Sequence, residues 1–256
     1  MRDVFLTDRF ARDEPVYVSW SMLPGALSAQ MLARAGFEAA VIDMQHGLIG
    51  FADMIAMLTA IHRHGRPVLV RPPLGDDGII GKALDAGAAG LVVPMINSPD
   101  QAAALVAKTK YPPLGERSWG AYLALAACGL DKADYLARAN TMFKTFAMIE
   151  KSEALEQIEA ICATPGLDGV FVGPHDLCLS LTGGEAPDAR HRLVAKALPR
   201  ILAAAGAAGI VPGIYAASAK LANQFAAAGF KLIAVGSDAA FLDDGAGAAL
   251  AQLAKN

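Results

Sequence analysis

The chain has little charge and little cysteine. Charged residues make up 18% of its 256 residues, and the formal net charge is −3. No run of Lys and Arg stands out, so there is no electrostatic footprint for nucleic acid or an anionic membrane surface. The three cysteines, Cys128, Cys162 and Cys178, form no C-x-x-C. An odd number without that spacing speaks against a disulfide framework or a zinc knuckle and fits a reducing cytoplasm. No stretch approaches the roughly 18 uninterrupted apolar residues of a membrane span. The opening Met1-Arg2-Asp3-Val4-Phe5 carries an acid early and does not read as a signal peptide. What is abundant is apolar material, 54% of the chain, with 25 glycines. Such a composition buries a large core and excludes disorder.

Short apolar runs alternate with longer helical patterns. The runs Val16–Trp20, Ala39–Asp43, Pro67–Arg71, Gly90–Val93, Thr145–Glu150, Asp168–Gly173, Ile210–Tyr215 and Leu232–Gly236 read as eight strands. Helices are predicted over Leu27–Ala35, Phe51–His64, Gly78–Ala86, Pro99–Thr109, Ser152–Cys162, His175–Leu181, Asp188–Ala208 and Ala217–Ala228, with a last one closing the chain. Ser98 is a good N-cap for the helix at Pro99. From Tyr111 to about Asn140 the rhythm breaks around Pro112-Pro113, Gly115, Gly120 and Gly129, which reads as a long functional connection or lid. Strand–helix alternation implies a parallel α/β sheet. Eight units in about 250 residues is the size of a single (β/α)8 TIM barrel, spanning 1–256. An open doubly wound sheet would want a G-x-G-x-x-G after its first strand, and Trp20-Ser21-Met22-Leu23-Pro24-Gly25 has none.

A barrel carries its chemistry at the carboxyl ends of its strands. Those ends supply Trp20, then Asp43 with His46, Arg71, Pro94-Met95, Glu150, Gly173-Pro174-His175-Asp176, Tyr215, and Ser237-Asp238. Glu150 and Asp176 are two carboxylates from adjacent strands, a set that suits Mg2+ or Mn2+ with water and substrate oxygens completing the shell. The alternative is that each is an acid stabilised by the helix it precedes. His46 has the pKa range of a general base, and Asp43 is placed to orient and polarise its ring. Arg71 offers a rigid fork of donors for a carbonyl or enolate oxygen, or an ion pair with Asp43 or Glu150. His62, His64 and His191 read as solvated, Cys178 as buried packing and Tyr215 as a pocket wall. No lysine ends a predicted strand, which argues against Schiff-base chemistry.

Five ordered motifs carry a family resemblance. They are Asp43-x-x-His46-Gly47, Val70-Arg71-Pro72, Tyr111-Pro112-Pro113-x-Gly115-x-Arg117-x-x-Gly120, Ile149-Glu150 and Gly169-Val170-Phe171-Val172-Gly173-Pro174-x-Asp176-Leu177. Together, from about Trp20 to Asp238, they resemble the HpcH/HpaI family of metal-dependent (class II) pyruvate aldolases. The resemblance implies cleavage of a 4-hydroxy-2-oxo acid to pyruvate and an aldehyde. It implies a divalent metal (Mg2+, Mn2+ or Co2+) on Glu150 and Asp176, and Arg71 on the keto or enolate oxygen. His46 would be the catalytic base and Asp43 the acid paired with it. Gly173 and Pro174 would lie where backbone amides meet the pyruvate carboxylate, with Trp20 lining the pocket. It further implies a homo-hexamer with exchanged C-terminal helices, in which Asp85 is contributed near a neighbour's site.

The sequence departs from that pattern at Gln45, where an acid is common, at Met148, at His175, and in the apolar run Ala121–Leu125. The last departure predicts an aldehyde less anionic than succinic semialdehyde. Competing readings are a lyase acting on a CoA thioester of the malyl-CoA or citryl-CoA type, an oxaloacetate decarboxylase, or a catalytically inactive barrel.

Overall fold

A computed structural model describes residues 5–12, 14–185 and 187–253. Its eight parallel strands are β1 (Val16–Ser21), β2 (Ala39–Asp43), β3 (Val68–Arg71), β4 (Gly90–Val93), β5 (Lys144–Ile149), β6 (Gly169–Val172), β7 (Val211–Ala216) and β8 (Leu232–Val235). They pair in sequence order and close on themselves, β8 against β1, as the strand count predicts. The helices follow the same order: α1 (Thr7–Phe10), α2 (Ala26–Arg34), α3 (Phe51–His62), α4 (Asp77–Asp85) and α5 (Pro99–Thr109). After them come α6 (Tyr122–Cys128), α7 (Lys132–Met142), α8 (Ser152–Glu156), α9 (Ile158–Cys162) and α10 (Pro174–Thr182). The last three are α11 (Arg192–Ala208), α12 (Ala219–Ala228) and α13 (Asp238–Ala251).

Strand residues alternate between two cores because successive side chains leave opposite faces. Val16, Val18 and Trp20 of β1 join Val41, Leu69, Val92, Phe146, Met148 and Phe171 inside the barrel. Ala40, Ile42, Val68, Val70 and Val172 face outward and pack under the helices. Both faces are covered, so the strands are apolar throughout. Leu6 and Phe10, flanking and within α1, pack against the amino end of the interior core, with Phe10 edge-on to Phe146 at 6.1 Å.

Four sequence expectations are corrected. The segment from Tyr111 to Asn140 is no open lid, because it folds into α6 and α7. Asp131 caps α7 by accepting the Asp134 N–H at 2.8 Å, and Tyr135, Ala139 and Met142 are its buried face. The helix expected over Ser152–Cys162 breaks into α8 and α9 at Gln157, whose backbone leaves the helical region. The helix expected from Asp188 starts at Arg192, and half-buried His191 caps it through Nδ1, which accepts the Leu193 N–H. His62 is buried with Met54, Met57, Leu58 and Ile61 on the inner face of α3, because it falls four residues after Leu58. Ser98 caps α5 as its position predicts, accepting from the Gln101 N–H.

Candidate active site

The carboxyl ends of β2 and β3 are neighbours, with Asp43 in register with Arg71. That register lets the Arg71 fork close on the Asp43 carboxylate: Nε donates to Oδ1 at 2.9 Å and Nη2 to Oδ2 at 2.6 Å. Trp20 Nε1 donates to Oδ2 at 3.2 Å, and the backbone N–H groups of Gln45 and His46 donate to Oδ1 at 3.0 and 3.2 Å. The Arg71 guanidinium also lies over the Trp20 ring, 4.8 Å from its centre. Burial pushes the Asp43 carboxyl upward, but the Arg71 hydrogen bonds and charge, helped by the His46 amide and Trp20, outweigh it and hold it below the usual range.

This arrangement corrects the expected Asp43–His46 ring contact. The acid engages the His46 backbone amide, not its imidazole, because Arg71 and Trp20 draw the carboxylate to the other side. The imidazole accepts and donates no hydrogen bond among the described residues. It lines the pocket from a turn that only glycine allows, since a Cβ on Gly47 would come within 2.1 Å of the Asp43 carbonyl oxygen.

Two more acids, Glu150 and Asp176, line the same pocket. Glu150 follows β5 directly, and Asp176 lies in the first turn of α10. Glu150 is buried and accepts the Met95 N–H at 2.8 Å through Oε2. Met95 holds φ at 58°, a backbone region non-glycine residues rarely enter, so the chain is bent to present that N–H. Burial pushes the Glu150 carboxyl above its usual value; the Met95 N–H opposes this, and the nearby Asp176 charge adds to it. Asp176 accepts no hydrogen bond among the described residues. Gly173 lets the β6 end lie flush on this acid, because a Cβ there would stand 2.7 Å from Glu150 Oε1.

Trp20, Met22, Met148, Phe171 and Tyr215 wall a cavity of about 270 Å3 that also reaches His46, Arg71, Glu150, Gly173, Pro174, His175 and Asp176. Trp20 stacks on Phe171 at 5.8 Å and meets Tyr215 edge-on at 5.6 Å, so the floor is aromatic. His175 reaches the same wall, its ring 6.0 Å from that of Tyr215. The Gly173 amide donates to Ile149 O within the sheet, so the free N–H groups at the start of α10 belong to His175 and Asp176. Pro174 has none.

Asp85 does not join this pocket. Its carboxylate accepts from Arg117 Nη2 at 2.8 Å on the outer face, beside Gly120. No lysine lines the pocket. The buried Lys110 lies at the opposite, amino end of the barrel, donating to Asn140 O, Phe143 O and Asp168 Oδ2. Sequence reading places Met95 and Asp238 at strand ends without a task; it misses that the Met95 amide, presented by a strained turn, holds Glu150.

The residues fit a divalent cation. Among the described residues no group of three or more His, Cys, Asp and Glu side chains gathers into a metal cluster. Two carboxylates with one backbone hydrogen bond between them form a cradle of unbalanced negative charge, typical of a hard cation that keeps waters and takes substrate oxygens. The rim therefore defines a (β/α)8-barrel enzyme able to stabilise negative charge growing on a substrate oxygen, with the acid cradle on one side and a fixed guanidinium on the other.

A model of the HpcH/HpaI aldolase/citrate lyase family matches residues 17–243, and the chain belongs to that family. It is 38% identical over 240 residues to a hydroxypyruvate/pyruvate aldolase of Paraburkholderia phytofirmans, covering 91% of each chain. It is 35% identical over 252 residues to a 4-hydroxy-2-oxo-heptane-1,7-dioate aldolase of Salmonella dublin, covering 98% of this chain and 95% of that one. A crystal structure of a family protein from Burkholderia cenocepacia superposes with a TM-score of 0.86 at 36% identity, covering 96% of this chain and 98% of that one.

Proposed function

We infer that this protein is a class II aldolase, a carbon–carbon lyase that reversibly cleaves a 4-hydroxy-2-oxo acid to pyruvate and an aldehyde. The observation that carries the reading is the opposition of the Glu150–Asp176 cradle and the Arg71 guanidinium across one pocket that also holds His46. Family membership and the aldolase names of its relatives support it.

Glu150 and Asp176 would hold the cation, Mg2+, Mn2+ or Co2+, which supplies Lewis-acid polarisation of the 2-keto group. Arg71 spends Nε and Nη2 on Asp43 and keeps Nη1 for the keto oxygen, where charge accumulates as the C3–C4 bond breaks. His46 takes the proton of the 4-hydroxyl, and the aldehyde leaves. Asp43 fixes the fork of Arg71 and the backbone of His46 together, so base and oxyanion donor share one support. The His175 and Asp176 amides, at the positive end of α10, receive the substrate carboxylate beside Gly173 and Pro174. Trp20 shields the reacting carbons from water.

The apolar run Ala121–Leu125, which enters α6, carries no basic residue, and since it lies outside this subunit's pocket it would meet a substrate only from a neighbouring subunit. An aldehyde less anionic than succinic semialdehyde fits this chain better, and a strong preference for the diacid aldol over a neutral one would overturn that part. In the cell we place the enzyme in the cytoplasm as a homo-hexamer, 1–256 forming one barrel domain whose C-terminal helix is exchanged and whose Asp85 serves a neighbour's site. Exposed Leu242 and Leu250 on α13 support the exchange. Light scattering reads the assembly.

The deciding experiment is a retro-aldol assay with and without EDTA, followed by Mg2+, Mn2+ or Co2+. Activity lost on chelation and restored by the ion is expected. Cleavage that survives complete chelation would remove the metal-dependent reading.

A further inference from the structure

We propose that Asp238 is a positioning residue for His46, acting through the backbone that links β1 to α2. Asp238 opens α13 directly after β8 and is the one buried residue of that helix. Its carboxylate points away from α13 toward the first strand end. Oδ1 accepts the Met22 N–H at 2.8 Å, and Oδ2 accepts the Leu23 N–H at 3.1 Å. Oδ1 also accepts the Ala239 N–H at 2.9 Å, which ties the acid to its own helix.

Met22 passes the constraint on. Its carbonyl accepts the Leu48 N–H at 2.8 Å, two residues beyond His46. Gly47 lies flush on the same peptide: a Cβ there would stand 3.0 Å from the Met22 carbonyl oxygen. The turn 44–48 is therefore clamped from two sides. Asp43 holds its start through the Gln45 and His46 amides, and the Met22 peptide holds its end. The imidazole has no hydrogen bond of its own among the described residues, so its place is set by this backbone. Loss of the Asp238 carboxylate leaves three N–H groups, those of Met22, Leu23 and Ala239, without their acceptor and frees the outer clamp.

The other reacting groups do not hang on this chain of bonds. Arg71 is held by Asp43, and Glu150 by Met95. The proposal rests on the lyase reading above and predicts a division between two reactions. Aldol cleavage needs a base for the 4-hydroxyl proton. Oxaloacetate decarboxylation does not: CO2 leaves, the electron pair of the broken bond passes into the enolate, and C3 is protonated afterwards.

The test compares wild type, Asp238→Ala and Asp238→Asn. In Asp238→Ala we expect kcat for cleavage to fall about 10–100-fold, the size of a small misplacement of a reacting group, with KM nearly unchanged. Decarboxylation stays close to wild type, and Asp238→Asn, which keeps one acceptor oxygen, recovers part of the loss. Amide hydrogen exchange across residues 44–49 quickens in Asp238→Ala. An equal fall in both reactions, or unchanged cleavage, would overturn the proposal. If the wild type cleaves no hydroxy-oxo acid, the lyase reading fails on its own, and an unchanged exchange rate across 44–49 would still sink the coupling.

Discussion

Asp43 and Glu150 sit at equivalent places, the carboxyl ends of two barrel strands, and both are buried. Their electrostatics are opposite. Asp43 is met by the Arg71 fork, the Trp20 indole and two backbone amides, and its carboxyl is held low. Among the described residues Glu150 accepts a hydrogen bond from the Met95 amide alone; it feels the Arg71 charge only at a distance and faces a second acid, and burial pushes its carboxyl up. Burial is common to both, so burial does not decide the outcome; the supply of partners does. One strand end is completed by the chain itself. The other is left in deficit, which is why we propose it as the place for a cation.

Removing the open acid should do the most to activity. Glu150→Ala is expected to lower cleavage roughly 1000-fold or more, since a charge-stabilising ligand of the transition state is lost. Calorimetric titration with Mn2+ should show the affinity falling with it; retained affinity would place the cation elsewhere. Arg71→Lys keeps the charge but loses the fork, and a fall in kcat of about 100-fold is expected. An unchanged kcat would mean that Arg71 serves Asp43 and not the substrate.

The closed acid should matter most for stability. Asp43→Ala leaves the Arg71 guanidinium buried without its partner, at a cost of roughly 3–5 kcal/mol in denaturant unfolding. Because the folded carboxyl titrates below its unfolded value, its contribution is fully present above about pH 3.9. It fades as pH falls through the lower folded pKa. The stability gap between wild type and Asp43→Asn should therefore narrow in acid and hold steady at neutral pH. The smallest effect has the opposite sign. In metal-free protein Glu150→Gln removes a buried charge yet keeps an acceptor for Met95, so Tm should rise by roughly 2–4 °C, about 1 kcal/mol for a chain of this size. A fall in Tm would mean that Glu150 is already balanced without a cation.

The barrel was legible because parallel strands covered on both faces are continuous apolar runs, and glycines end the helices between them. The rim was legible for the same reason: a charged residue closing such a run has one place to go. Position alone did not reveal partnership. Asp43 and His46 are three apart in sequence, which suggested a ring contact, yet Asp43 lies beside Arg71 across the sheet, and that register took the carboxylate. Helices α6 and α7 were hidden by the prolines and glycines around them, although Asp131 at the N-cap with Tyr135, Ala139 and Met142 at helical spacing carried a usable signal. His62 was read from its charge and not from its place four residues after Leu58. The Met95 amide is beyond sequence reading, because a positive φ at a non-glycine residue leaves no trace in composition.

Helix α13 is riveted to the barrel in its first turn, by buried Asp238 and by Phe241 stacked on Phe37 at 6.0 Å, and is exposed along the rest. Mechanically it is a lever with Asp238 as fulcrum, and the short arm ends two backbone links from His46. If Asp238 positions His46 as proposed, whatever is fastened to the long arm, whether an affinity tag, a solid support or a fused enzyme, would apply its torque at that fulcrum. For immobilised or fused forms of this enzyme, the choice of attachment point thus becomes a setting of the catalyst itself.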